Sequence, residues 1–132
     1  MQYVNLKKIL SEGTSSSSNS ITIPSDLFQG LLIIALRYKG VFDESFYLAS
    51  NPDVKDAVAR NIVVSAAEHY YTTGYFEGRI PKRLLVDERF YLERNPDVSA
   101  AIRKNAVASA QDHFDFAGFR EGRQPYDGFT LF

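Results

Sequence analysis

Apolar and polar positions follow the α-helical period over most of the chain, and the most apolar helix comes first. Between residues 25 and 38, apolar side chains fall at positions 27, 28, 31, 32, 34 and 35, and those at 33 and 36 widen the stripe. The spacing predicts a helix that is apolar nearly all round, and Gly40 is placed to end it. Such a helix must be buried by its own domain or by a partner.

A second pattern is an internal repeat. The stretch "FYLASNPDVKDAV" at 46–58 returns as "FYLERNPDVSAAI" at 90–102, and a shift of 44 residues aligns 43–81 with 87–125 without a gap. The shared positions include Asn-Pro-Asp-Val, one histidine and a Glu-Gly-Arg near the end of each copy. Internal duplication of this length predicts two similar supersecondary modules.

Capping signals place the first two helices of each copy. Asp43 and Asp87 are the predicted N-caps of a first helix, and Asn51 and Asn95 are the predicted N-caps of a second. The proline after each asparagine suits the first helical position, because its missing N–H would have no helical partner there. The Asn-Pro-Asp phrase therefore predicts a bend followed by a new helix.

A third helix is predicted to begin at the capping residues Ser65 and Ser109. Gly74 and Gly118 are the expected C′ glycines at its end. The Glu-Gly-Arg that follows in each copy predicts a tight turn, in which the glycine is free to take a positive φ.

These elements predict an all-α protein with two tandem three-helix modules after the apolar helix. Residues 1–20 are predicted to be a flexible N-terminal segment, with a short strand or helix first and the Ser-rich linker "GTSSSSNS" at 13–20. Residues 21–132 are predicted to form the helical body, with repeat 1 at 42–81 and repeat 2 at 86–125.

Composition and charge exclude several classes of function. The formal net charge is −1, from 15 basic and 16 acidic residues, so no global field attracts nucleic acid or an acidic membrane. Cysteine is absent, which excludes disulfides, Cys-ligated zinc and a thiol nucleophile.

Hydropathy predicts neither a membrane span nor a signal peptide. The longest apolar run, "LLIIAL" at 31–36, is far shorter than the roughly 20 residues that cross a bilayer. No apolar core follows the two lysines of "MQYVNLKKIL". We expect a cytoplasmic protein, with a peripheral place at an inner-membrane assembly as an open alternative, although bacterial secreted proteins can also lack cysteine.

The two copies resemble a known bacterial repeat. Its form is F-D-x-x-x-Y-L-x-x-N-P-D-V, then S-A-x-x-H-[FY], then G-x-x-E-G-R-x-P, and the resemblance covers 42–81 and 86–125. Such repeats accompany exopolysaccharide and rhamnan-synthesis glycosyltransferases, and some occur in secreted calcium-binding repeat proteins. The resemblance implies an accessory, non-catalytic part in a surface-glycan system.

His69 and His113 are the only histidines, and they occupy equivalent positions. They could form a shared metal or proton site, but their spacing matches no zinc pattern. The simpler interpretation is a buried or half-buried ring in each copy, with its ring N–H bonded to a backbone carbonyl or a carboxylate. We therefore predict no metal site and no cofactor.

Four other residues are candidates for binding a glycan or an anion: Tyr71, Arg79, Phe116 and Arg123. Aromatic rings can stack on sugars or anchor a protein. Each arginine either binds an anionic group or pairs with the aspartate of its own Asn-Pro-Asp phrase, a geometry that suits arginine.

No enzyme is expected, because the chain has no nucleophile-base-acid set, phosphate loop, H-E-x-x-H or G-x-S-x-G. The first hypothesis is a non-catalytic adaptor or regulator that binds a protein partner or a second copy. Leu31, Leu32 and Ile34 of the apolar helix are its predicted contacts. The alternative is a carbohydrate-binding module.

Overall fold

A computed structural model describes residues 2–12, 23–39 and 41–130. The predicted Ser-rich linker at 13–20 and the predicted helix stop at Gly40 lie outside these residues. Every regular element in the described ranges is helical and none is a strand, so the all-α prediction is confirmed.

Eight α-helices occur in the described parts of the chain. Their bounds are α1 Tyr3–Glu12, α2 Ser25–Lys39, α3 Glu44–Ser50, α4 Pro52–Ala59, α5 Ala66–His69, α6 Glu88–Arg94, α7 Pro96–Arg103 and α8 Ala110–His113. Helices α5 and α8 each continue as a π-helical turn, over Tyr70–Gly74 and Phe114–Gly118. The bounds of α3, α4, α5 and its π turn recur 44 residues later in α6, α7, α8 and its π turn. We call the two sets, each with the turn that follows it up to Arg79 or Arg123, module 1 and module 2.

Local capping bonds explain where the first and third helices of each module begin. The side chains of Asp43 and Asp87 each accept a hydrogen bond from the backbone N–H three residues on, at 3.0 Å. Ser65 and Ser109 accept in the same way, at 3.1 and 3.0 Å. These four predicted caps form as expected.

Asn51 and Asn95 stand at the N-cap positions of α4 and α7, but neither side chain makes a capping bond. The predicted capping role is therefore wrong. Each asparagine Nδ2 instead donates to the carbonyl at the end of the preceding helix, on Tyr47 or Tyr91, at 2.7 Å. Its side-chain oxygen accepts from an arginine of the same module and not from a backbone N–H at the helix start.

Helix α4 is followed, after Arg60, by an asparagine in the left-handed conformation. Asn61 has a φ of 54°, and Asn105 has the same φ after α7. The Asn61 N–H donates to the carbonyl of Val58 at 3.0 Å and the Ile62 N–H donates to that of Ala57 at 2.9 Å. This is the Schellman pattern with asparagine in the place where glycine is commonest.

The glycines of each third helix have two different roles. Gly78 and Gly122 have φ values of 72° and 78°, so the predicted positive φ in the turns is confirmed. Gly74 and Gly118 lack a positive φ and lie buried inside the π turns, so the expectation that they are C′ glycines is wrong. A Cβ on either would overlap a tyrosine hydroxyl from the first helix of its module.

Tyrosine and phenylalanine dominate the core. The largest side chains with under 2% exposure include Tyr47 and Tyr70 in module 1, and Tyr91 and Phe114 in module 2. Their rings meet edge to face within each module, with centroids 5.6 Å apart in module 1 and 5.9 Å in module 2. Leu36 of α2 joins this cluster at 1% exposure.

The start of the chain packs across both modules. Gln2 is 3% exposed, and its Nε2 donates to the carbonyls of Phe119 and Arg123 at 3.2 and 2.9 Å. Asn5 donates to a further carbonyl of the same turn at 3.0 Å. Tyr3 places its ring 4.9 Å from an aromatic ring of module 1. The sequence-based division put this segment outside the helical body, whereas these contacts add it to the packed structure.

The contact between glycine and tyrosine hydroxyl generates a prediction about stability. Gly74→Ala is expected to lower the free energy of unfolding by about 1–3 kcal/mol, because its methyl group must displace the Tyr47 hydroxyl. Tyr47→Phe removes that oxygen. The double variant should therefore lose less than the sum of the two single variants in urea unfolding.

The matched control is the crossed pair, Gly74→Ala with Tyr91→Phe, whose residues belong to different modules. Its two effects should add. If the effects of Gly74→Ala and Tyr47→Phe also add, the hydroxyl contact is not the reason for glycine at this position.

Candidate functional site

An arginine joins the turn at the end of module 1 to the start of α4. Arg79 donates from Nη1 to Asp53 Oδ1 at 3.0 Å and contacts Asp53 Oδ2 through Nη2 at 2.9 Å. It also donates from Nη1 to Asn51 Oδ1 at 2.9 Å and from Nε to Glu77 Oε2 at 2.7 Å. We call this arrangement the arginine clamp. The predicted pairing of the arginine with the aspartate of its own phrase is confirmed.

Module 2 contains the same clamp. Arg123 donates to the two carboxylate oxygens of Asp97 at 2.9 and 2.8 Å, to Asn95 Oδ1 at 3.0 Å and to Glu121 Oε2 at 2.6 Å. The repetition of four contacts in two separate stretches of chain indicates that the clamp is a feature of the repeat.

The clamp changes the chemistry that each arginine offers. The hydrogen bonds from Arg79 and Arg123 hold the pKa of Asp53 and of Asp97 below its usual range. Each guanidinium therefore faces two carboxylates of its own module. To bind an anionic glycan, either arginine would have to exchange an intramolecular carboxylate for the ligand, which opposes binding.

Each histidine pairs with a buried tyrosine. His69 Nδ1 lies 3.0 Å from the Tyr47 hydroxyl, and His113 Nδ1 lies 2.9 Å from that of Tyr91. The rings are half-buried, as predicted, but the partner is a hydroxyl and not a carbonyl or carboxylate. Burial raises the pKa of Tyr47 and raises that of Tyr91 to about 12, so each hydroxyl keeps its proton and is able to donate to Nδ1.

Burial also lowers the pKa of His69, and the Arg79 charge adds to the shift. A neutral ring with its proton on Nε2 suits an Nδ1 that accepts from tyrosine. Within the ranges that the structure describes, no group of three or more His, Asp or Glu side chains could hold a metal ion. The absence of a metal from the functional protein stays a prediction.

The two aromatic candidates lie in different surroundings. Tyr71 is half-buried, with its ring centroid 5.7 Å from that of Tyr70 and 6.0 Å from that of Phe42. Phe116 is 77% exposed and carries the Arg120 guanidinium 6.0 Å above its ring. Of the two rings, that of Phe116 therefore has a face available to a partner or a sugar.

Helix α2 exposes a line of large apolar side chains. Leu27, Leu31, Ile34 and Tyr38 are 54%, 51%, 65% and 85% exposed, and their spacing of four, three and four residues keeps them on one side of the helix. We call these four residues the α2 stripe. Two of the predicted contacts, Leu31 and Ile34, belong to it.

The opposite side of α2 faces the protein. Leu36 is buried, and Leu32 packs against the same core, so Leu32 lies off the stripe that contains the other two predicted contacts. The helix contacts the π turn of module 1, and Arg37 Nη2 donates to Glu68 Oε1 at 2.6 Å. One face of α2 is thus anchored and the other is bare.

A cleft of about 670 Å³ lies where the two modules meet. We call it the inter-module cleft. Module 1 and the segment after it contribute Phe46, Arg79 and Arg83, and module 2 contributes Asp115 and Arg120. Desolvation raises the pKa of Asp115, and Gln111 donates to its carboxylate at 2.9 Å. Sequence reasoning did not find this site, because it depends on how the two modules meet in space.

In comparisons with protein-family models, curated proteins and solved structures, nothing matches this chain. The resemblance of the two modules to a bacterial repeat family therefore stays a prediction. None of the helices in the described residues is long and apolar enough to cross a membrane.

The arginine clamp predicts a loss of stability in acid. Because the folded-state pKa of Asp53 and Asp97 is depressed, the clamp stabilises the fold fully above the ordinary aspartate pKa of about 3.9. That contribution disappears as the pH falls through the lower, folded-state pKa. Asp53→Asn with Asp97→Asn should therefore flatten the acid limb of a plot of thermal midpoint against pH.

Asp56→Asn is the matched control, since it neutralises an exposed carboxylate of α4 outside the clamp. It should leave the acid limb unchanged. An acid limb as steep in the double clamp variant as in the wild type would show that the two aspartates do not carry the effect.

Proposed function

We propose that this chain is a non-catalytic protein-interaction module, an adaptor or regulator, of a bacterial exopolysaccharide or surface-glycan system. The observation that carries the proposal is the α2 stripe. The assignment to a glycan system comes from the resemblance of the two modules to repeats that accompany exopolysaccharide-synthesis enzymes.

Exposure of the α2 stripe to water is unfavourable in free energy. Apolar area contributes roughly 25 cal/mol per Å² when it is removed from solvent, and the four side chains are each at least half exposed. Single exposed apolar residues are ordinary, but a contiguous line of them usually marks an interaction site. A binding partner that covers the stripe would recover this energy.

The modules supply a platform for that helix. Their arginine clamps and histidine–tyrosine pairs use polar groups for contacts within each module. Leu36 and the bond from Arg37 to Glu68 attach α2 to module 1. The stripe is therefore presented on an anchored helix, which lowers the entropy cost of binding.

The test replaces one residue of the stripe in the organism that encodes the chain. A strain without the gene should make less extracellular polysaccharide, and the wild-type gene should restore the yield. Ile34→Asp should fail to restore it, because a charge at the centre of the stripe opposes burial against a partner. Circular dichroism should show an unchanged helix content, since residue 34 is exposed.

Val64→Asp is the matched control, because Val64 is 90% exposed and lies off α2. It should restore the yield. Full restoration by Ile34→Asp would show that the stripe is not the functional surface. An unchanged yield in the deletion strain would remove the link to glycan synthesis.

The inter-module cleft favours a second candidate function, a carbohydrate-binding module. Its volume lies within the range of small-molecule sites, about 300–1,000 Å³. Phe46 offers an aromatic ring, and Arg83 and Arg120 add two guanidinium groups to one cleft. Glu77 of the cleft is paired with Arg79, so these two guanidinium groups outnumber the remaining carboxylate, that of Asp115, and the cleft suits an acidic oligosaccharide better than a neutral one.

Isothermal titration with an acidic and a neutral oligosaccharide of equal length tests this candidate. The acidic sugar should bind, and Arg83→Ala or Arg120→Ala should weaken it about tenfold or more. Arg89→Ala, at an exposed arginine outside the cleft, should bind as the wild type does. Equal heats for the two sugars, or equal affinity in all variants, would count against a carbohydrate site in the cleft.

A further inference from the structure

The α2 stripe is complementary to itself. If two α2 helices lie antiparallel with a two-fold axis between positions 32 and 33, Leu27 of one copy is level with Tyr38 of the other. Leu31 is then level with Ile34 of the other copy. Every member of the stripe meets another member, as an isologous contact requires.

We propose that a second copy of this chain covers the α2 stripe, through antiparallel pairing of the two α2 helices. The inference rests on the proposed function, since it names the partner of the surface on which that function depends. It would make the interaction module a dimer whose two-fold axis crosses the middle of α2.

The spacing of the stripe selects a helix as the occupant. Steps of four, three and four residues reproduce the seam of a coiled coil, in which each side chain enters a gap between side chains of the facing helix. The stripe runs over twelve residues, from Leu27 to Tyr38, and its ends lie about 16 Å apart along the helix. This length provides two full layers of contact on each side of the two-fold axis.

Charge selects the antiparallel direction. Asp26 lies near the start of α2 and Arg37 near its end, and eleven residues bring both to the same flank of the stripe. Both are exposed, and Arg37 keeps half of its side chain in solvent beside Glu68. An antiparallel pair places Asp26 of each copy near Arg37 of the other. A parallel pair would put the two charged flanks on opposite sides of the seam, where Asp26 of one copy and Arg37 of the other do not meet.

Gly30 leaves room for this contact. It lies between Asp26 and Arg37 on the same flank, and a Cβ built there meets nothing within 4 Å. The flank of the other copy can therefore come close to Gly30 while Arg37 keeps its bond to Glu68. The antiparallel arrangement also places the positive end of each helix dipole beside the negative end of the other, which is favourable.

Cysteine cross-linking tests both the partner and the direction, because the chain has no cysteine of its own. Leu27→Cys and Tyr38→Cys are made separately, purified and oxidised alone or mixed. A disulfide needs Cα atoms within about 7 Å. In the antiparallel dimer, residue 27 lies level with 38 of the other copy and about 16 Å from 27 of the other copy.

The mixed sample should therefore form a disulfide-linked dimer, and each variant alone should not. Cross-linking of both variants alone would indicate parallel helices and would overturn the antiparallel proposal. No cross-link in any sample would overturn pairing with a second copy. The proposed function would survive that result if Ile34→Asp still abolished polysaccharide restoration.

Val64→Cys is the control for random collision, since it is highly exposed and lies off the stripe. It should stay unlinked under the same oxidation. If it cross-links as fast as the mixed sample, the linkage reports collisions and the second-copy proposal fails.

Discussion

Each module depends on one guanidinium group that holds three parts of the chain together. The Asn-Pro-Asp bend, the start of the second helix and the final turn meet at Arg79 in module 1 and at Arg123 in module 2. The planar fork of arginine fits this task, because it satisfies a carboxylate with two bonds and still reaches an amide oxygen. Lysine, with a single ammonium group, could not reproduce the geometry.

The short helices explain why such a contact is needed. Helices of seven or eight residues are not stable alone in water, so tertiary contacts must hold them. Aromatic rings supply the apolar contacts within each module. In each module a tyrosine hydroxyl also pairs with a histidine and lies close to a glycine, where it leaves no room for a Cβ atom. The polar groups of these networks are thus satisfied within a module. The apolar face of α2 remains exposed, and its burial against a partner would lower the free energy.

Local signals account for what the sequence predicted well. Asp43 and Ser65 cap helices through a bond to the N–H three residues on, and that contact can be inferred from neighbouring residues alone. The repeat then transfers each inference from one copy to the other. The pairing of each arginine with its aspartate was also predictable. Only a few acidic residues occupy equivalent positions in the two copies, and these are the candidates for a partner that recurs in both modules.

The errors have non-local causes. The Asn51 side chain bonds to Arg79, 28 residues away, and to the Tyr47 carbonyl, and makes no capping bond. Gly74 is a glycine because the Tyr47 hydroxyl lies against it, and no nearby residue reveals that contact.

The apolar helix shows a different limit of sequence reasoning. The helix has no wholly polar face that would show which side is in solvent. Its sequence therefore does not reveal that Leu32 packs against the core while Leu27 and Tyr38 are exposed. The inter-module cleft was missed because it depends on how the two modules meet.

Sedimentation equilibrium over a series of protein concentrations tests the central claim most directly, that the bare face of α2 is covered by a second copy. The account predicts an average mass that rises with concentration from 14.9 kDa toward twice that value and then stays constant, because an isologous contact closes on itself. A mass of 14.9 kDa at every concentration, or a mass that keeps growing beyond the dimer, would contradict it.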